Sequence, residues 1–136
     1  MKLKKIVLLT IIGLSSFAST AQTEAERSLS VELTKAVSEI NGSGPQKLDE
    51  ETRLDSAATF SKYIIYNNTM TNYTAEQLDV KLFDPIIEET VIGSLCSNTA
   101  LVGLIEGGVT MVYRYHGKNG QFITELSKDM STCKKT

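Results

Sequence analysis

VTMVYRYHGKNGQFITELS, running from Val109 to Ser127, is the stretch whose reading decides the fold. Its odd positions are Val109, Met111, Tyr113 and Tyr115, and its even ones Thr110, Val112, Arg114 and His116. Period two with β-branched and aromatic residues predicts a strand. Gly117-Lys118-Asn119-Gly120 then turns the chain, and Asn119-Gly120 is a strong hairpin signal. A two-residue turn sets Tyr113 against Leu126, Arg114 against Glu125 and Tyr115 against Thr124. A four-residue turn sets Tyr115 against Phe122 and Met111 against Leu126. The two registers differ by two residues, so both leave the same face apolar. Met111, Tyr113, Tyr115, Phe122 and Leu126 are expected in the core, and Arg114, His116 and Glu125 outside, where these three form a candidate binding face.

The hairpin lies between the only two cysteines, Cys96 and Cys133, which have 36 residues between them. Whether they pair depends on compartment, and the N-terminus speaks to that. Lys2, Lys4 and Lys5 are followed by an apolar run from Ile6 to Leu14, and then by small residues ending Ser19-Thr20-Ala21. This pattern predicts a signal peptide over residues 1–21, cleaved before Gln22. Its core of nine residues is short against the roughly 20 of a membrane span. No cysteine stands at the cleavage site to carry a lipid, so the product is expected free in the periplasm or secreted, with no membrane insertion. In an oxidising compartment two cysteines pair, so a Cys96–Cys133 disulfide is expected. Two cysteines and one histidine, without a C-x-x-C, are a thin ligand set, and no metal or other cofactor is expected.

Residues 22–136 then form one domain of 115 residues. The leader holds three of the 14 basic residues and none of the 16 acidic ones, which leaves 11 against 16 and a net charge of −5. With no basic run, the chain is a poor candidate for nucleic acid or an anionic membrane.

Upstream, Leu29, Leu33, Ala36, Val37 and Ile40 recur at helical spacing, after a loose Gln22 to Ser28 and before an Asn41-Gly42 stop. From Leu48 to Thr71 a helix and a strand pair compete. Tyr63-Ile64-Ile65-Tyr66 and the poor helix formers after it favour two strands, Thr52 to Phe60 and Lys62 to Thr71. Thr74 and Gln77 resemble a capping box and predict a helix start, with a kink or fresh start at Asp84-Pro85. Ile87, Val91 and Leu95 carry the stripe on to Cys96, and a short helix from Thr99 to Glu106 ends at Gly107-Gly108.

No catalytic signature is present: no G-x-S-x-G, no H-E-x-x-H and no phosphate loop. His116 stands alone, and a histidine enzyme needs a partner acid or nucleophile. Asp49-Glu50-Glu51 and Glu88-Glu89 read as surface charge. Asn67-Asn68-Thr69 and Asn72-Tyr73-Thr74 match glycosylation acceptors, a frequent chance match. Tyr63, Tyr66, Tyr73, Tyr113 and Tyr115 read as core or core edge, with a tyrosine-lined binding surface as the functional alternative.

The succession of Thr52-x-Leu54, a tyrosine-rich strand, an acidic helix ending in Cys96, Gly107-Gly108-Val109, Tyr113-Arg114-Tyr115, Asn119-Gly120 and a final Cys133 resembles small exported bacterial proteins of unassigned function. These pair a helix-end cysteine with one after a terminal hairpin. The likeness implies a structural frame and no catalytic residue. The expected fold is α+β, an antiparallel sheet of about four strands with helices on one face, in the order α-β-β-α-α-β-β. The expected function is that of a non-catalytic periplasmic or secreted binding protein: an inhibitor, an immunity-type protein or an envelope accessory factor. Its partner would be another envelope or secreted protein. The alternatives are a small hydrolase using His116 and a structural envelope protein that self-associates through a sheet edge.

Overall fold

A five-stranded mixed sheet, carrying three α-helices on one face, organises the chain in a computed structural model that describes residues 22–134. The expected signal peptide, residues 1–21, lies outside the described residues. The elements are α1 (Glu24–Gly42), β1 (Gln46–Lys47), β2 (Thr52–Phe60), β3 (Tyr63–Met70), α2 (Val80–Thr90), α3 (Val102–Gly107), β4 (Thr110–Gly117) and β5 (Phe122–Asp129). Spatial order follows chain order, β1-β2-β3-β4-β5.

The α+β class, the strand pair over residues 52–70 and the helix-covered face agree with the sequence reading. The sheet itself differs in two ways. A two-residue strand, β1, is added at the edge, and β3 runs parallel to β4, from Tyr63 opposite Thr110 to Met70 opposite Gly117. Parallel neighbours need a long crossover. The segment between Met70 and Thr110, with α2 and α3, is that crossover.

The hairpin adopts the first of the two registers from Tyr115 onward, with Tyr113 opposite Leu126, Arg114 opposite Glu125 and Tyr115 opposite Thr124. The turn is neither of the expected ones. The Gly120 amide donates to the Gly117 carbonyl at 2.9 Å, the Gly117 amide to the Gln121 carbonyl at 2.8 Å, and Gly120 takes φ +81°. That is a three-residue loop closed by a left-handed glycine. It sets His116 opposite Phe122, and a bulge at the next step restores the register. Phe122 is therefore turned out of the core, 57% exposed, and Ile123 packs inward in its place.

The helices depart from expectation at their ends. α1 starts at Glu24, because Thr23 and Glu26 form a reciprocal capping box. Gln22 to Ser28 is thus mostly helix. Thr74 and Gln77 do form a box, but it closes only a 3₁₀ turn, Ala75–Gln77. α2 is capped by Asp79 and runs through Pro85 without a break. After Thr90 the chain tightens into a 3₁₀ helix, Ile92–Ser97, that carries Cys96. α3 ends where Gly108 turns left-handed at φ +65°, as Gly107-Gly108 predicts.

Two clusters fill the space between sheet and helices. One holds Leu33 from α1, Ile64, Met111, Val109, Ile92, Leu95 and Met130. The other holds Met70, Tyr115 and Ile123 from the sheet with Phe83 and Ile87 from α2. Cys96 and Cys133 are bonded (Sγ–Sγ 2.05 Å), tying Ile92–Ser97 to the turn Met130–Cys133. On β2, beyond the reach of β1, Asn41 stands in for a strand neighbour. Its amide accepts from the Ala57 N–H at 2.8 Å and donates to the Ala57 carbonyl at 2.9 Å.

Candidate functional site: a tyrosine-floored groove

α1 lies against β2 and α3, and α2 lies against β5. Between them the middle of the sheet is left open as a groove of about 790 Å³. Its floor comes from alternate residues of β3 and β4: Tyr66, Asn68 and Met70, with Met111, Tyr113 and Tyr115. The period-two pattern of both strands puts these side chains on one face, and the parallel register brings Tyr66 beside Tyr113 and Asn68 beside Tyr115. The Tyr66 and Tyr113 rings stack at 5.1 Å and 19°, and Phe83 meets Tyr115 edge-on at 5.4 Å and 83°. One wall is α2 and the turn after it. The other is the segment Leu48 to Thr52, between β1 and β2.

The lips are apolar and uncovered. Leu48 and Ile86 are each 56% exposed. Asp49, Glu50 and Glu51 stand beside Leu48 on the same wall, and among the described residues no Lys, Arg or His lines the groove. The Asp49 carboxylate accepts the Glu51 and Thr52 amides, both at 2.8 Å, and the Glu51 bond first of all holds its pKa below the usual value. Glu51 accepts the Tyr73 hydroxyl at 2.8 Å, while Glu50 pairs with Lys47 at 3.2 Å outside the groove.

Among the described residues the hydroxyls of Tyr66, Tyr113 and Tyr115 make no hydrogen bond to the protein, although Tyr115 is only 3% exposed. Burial raises the pKa of all three. Tyr115 is pushed up to about 12, first by burial and then by the Asp49 charge. Asn68, 1% exposed, gives its amide hydrogens to the Tyr66 and Arg114 carbonyls.

Sequence reasoning singled out other residues. Arg114, His116 and Glu125 share one face, but it is the face of the sheet opposite the groove. There Arg114 pairs with Glu125 at 2.7 Å, and His116 meets Phe122 edge-on at 6.0 Å. Among the described residues no carboxylate or hydroxyl hydrogen-bonds to His116. The groove tyrosines were legible as a tyrosine-rich sheet. The acidic lip was read only as surface charge.

No protein-family model matches the chain, and no curated protein sequence does. Solved structures do share its fold. A Pseudomonas aeruginosa protein predicted to be secreted is similar over 84% of this chain and 100% of its own, with 19% identity and a TM-score of 0.67. The pilotin EpsS of the Vibrio vulnificus type II secretion system is similar over 83% and 98%, with 12% identity and a TM-score of 0.66. The Vibrio cholerae type II secretion system pilotin AspS is similar over 81% and 96%, with 14% identity and a TM-score of 0.62. At these identities the likeness is one of fold.

Proposed function

We propose that the chain is an exported, non-catalytic accessory factor of the bacterial envelope that holds an apolar helical segment of another envelope or secreted protein in the tyrosine-floored groove. The observation that carries this is the groove with its uncovered lips: Leu48 and Ile86 stay 56% exposed on either side of an apolar floor. The signal-peptide pattern of residues 1–21, the disulfide and the pilotins among the similar folds support the compartment and the accessory role. A helix suits the groove for a physical reason. The floor is the face of a sheet whose backbone groups are paired with one another. A guest there gains no main-chain partner, so its own backbone must be satisfied internally.

The test is a photo-crosslinking amino acid placed at Leu48, at Ile86 and, on the opposite face, at Ala58, in the protein expressed in its own cells. The two groove positions should crosslink to one and the same envelope protein, and Ala58 should not. Equal crosslinking from Ala58, or none from the groove, refutes the assignment.

A further inference from the structure

The groove carries charge of one sign only, and this bears on its guest. Asp49, Glu50 and Glu51 line one wall, and no cation among the described residues lines any part of it. Lys47, outside the lining, pairs with Glu50 and also favours the charged form of Asp49. Three carboxylates beside apolar surface would repel a guest carrying carboxylates and attract one carrying amines. A second observation points the same way. Tyr115, 3% exposed, lines the floor with a hydroxyl that no described residue engages. Asp49 and Tyr115 both line this one groove. The Tyr115 hydroxyl is open to the groove, and its free lone pair can take a donor that a guest brings.

Building on the groove-binding function proposed above, we infer that the guest segment carries a lysine or arginine received at the Leu48–Glu51 lip. The Asp49 and Glu51 carboxylates take the charge, and the Tyr115 hydroxyl accepts a hydrogen bond deeper in the groove. The guest's apolar side chains then cover Tyr66, Tyr113 and Ile87. An ammonium or guanidinium also favours the faces of stacked tyrosines over bare aliphatic surface. The acidic lip thereby fixes which end of an amphipathic helix enters at Leu48, and it rejects segments whose polar residues are acidic.

The probes are two 14-residue amphipathic helical peptides with identical leucine positions, one with lysine at every polar position and one with glutamate. Binding to the disulfide-bonded protein, purified after export, is followed by fluorescence anisotropy at low and physiological salt. The lysine peptide should bind at least about tenfold more tightly than the glutamate peptide, and less tightly as salt rises. Asp49→Asn keeps an oxygen for the Glu51 and Thr52 amides but loses the charge, and should weaken the lysine peptide about tenfold. Tyr115→Phe removes only the hydroxyl and should weaken it about threefold. Glu32→Gln, on the exposed side of α1, should change nothing.

If both peptides bind alike and Asp49→Asn has no effect, the cationic-guest inference fails while groove binding survives. If Glu32→Gln weakens the lysine peptide as much as Asp49→Asn does, the attraction is only that of overall negative charge and the inference also fails. If neither peptide binds, both the inference and the groove assignment fall. If dodecyltrimethylammonium alone binds, with the same Asp49 dependence, the guest is a small cationic amphiphile and the polypeptide inference is overturned.

Discussion

Replacing both cysteines, Cys96→Ser with Cys133→Ser, removes the bond without leaving a lone thiol. The bridge closes a loop with a sequence separation of 37. On the chain-entropy account, opening a loop of that length lowers stability by about 4 kcal/mol. A domain of roughly 110 residues unfolds with an entropy near 0.23 kcal/mol/K, so the thermal midpoint should fall by about 15 °C. The loss should also have a location. Each cysteine sits in a 3₁₀ turn that carries core residues: Ile92 and Leu95 beside Cys96, and Met130 beside Cys133. Val91 and Leu95 also line the groove, so the wall is anchored through the same bond. The assay is urea denaturation of the double variant beside the oxidised wild type, with amide hydrogen exchange of both. Exchange should quicken first in residues 91–97 and 130–134, before β3 or β4 loosens. A double variant within about 1 kcal/mol of wild type would mean that burial alone holds these turns, against the entropy estimate.

Other perturbations test separate parts of the fold. Gly117→Ala places a Cβ 2.6 Å from the Ala75 amide nitrogen and 2.9 Å from the Thr74 carbonyl carbon, so the 74–75 backbone must move; a loss of about 2 kcal/mol in urea denaturation is expected. Asn41→Ala leaves the Ala57 N–H and carbonyl without their side-chain partner and should lower stability by about 1–2 kcal/mol, read the same way. Alkaline titration followed by tyrosinate absorbance should show Tyr66, Tyr113 and Tyr115 ionising later than a free tyrosine. Because these folded pKa values lie above the unfolded value near 10, the stability they contribute is fully present below pH 10. It is lost as pH rises from there through about 12, where Tyr115 titrates, so denaturation midpoints should fall across that window.

What could be read in advance follows the range of the interactions involved. The strands over 52–70, the αββ order after residue 99, the glycine stop at 107–108 and the Cys96–Cys133 bond rest on local pattern or on compartment, and all are present. The parallel pairing of β3 with β4 was not legible. Nothing in either strand distinguishes a parallel neighbour, and the choice depends on where the helical connection from Met70 to Thr110 delivers the chain. Phe122 fails for a smaller reason. A three-residue loop followed by one bulge leaves the register of most of the hairpin as expected, yet it inverts the residues next to the turn.

The groove was hidden for a different reason. It is the space between elements: α1 settles on β2 with α3, α2 settles on β5, and a groove stays open above the half-buried Tyr66 and Tyr113 of β3 and β4. Periodicity shows that Tyr66, Tyr113 and Tyr115 share an inward face. It does not show whether a helix arrives to cover them. The sequence carries one faint sign of the gap, which is chemical. In a fully packed core, Leu, Ile or Phe would fill such positions without a hydroxyl to satisfy. Here three tyrosines share the inward face, and among the described residues no histidine, lysine or arginine lines the groove beside them. The polar tips of the floor and the carboxylates of Asp49 and Glu51 line one groove, and the proposed guest binding rests on that juxtaposition.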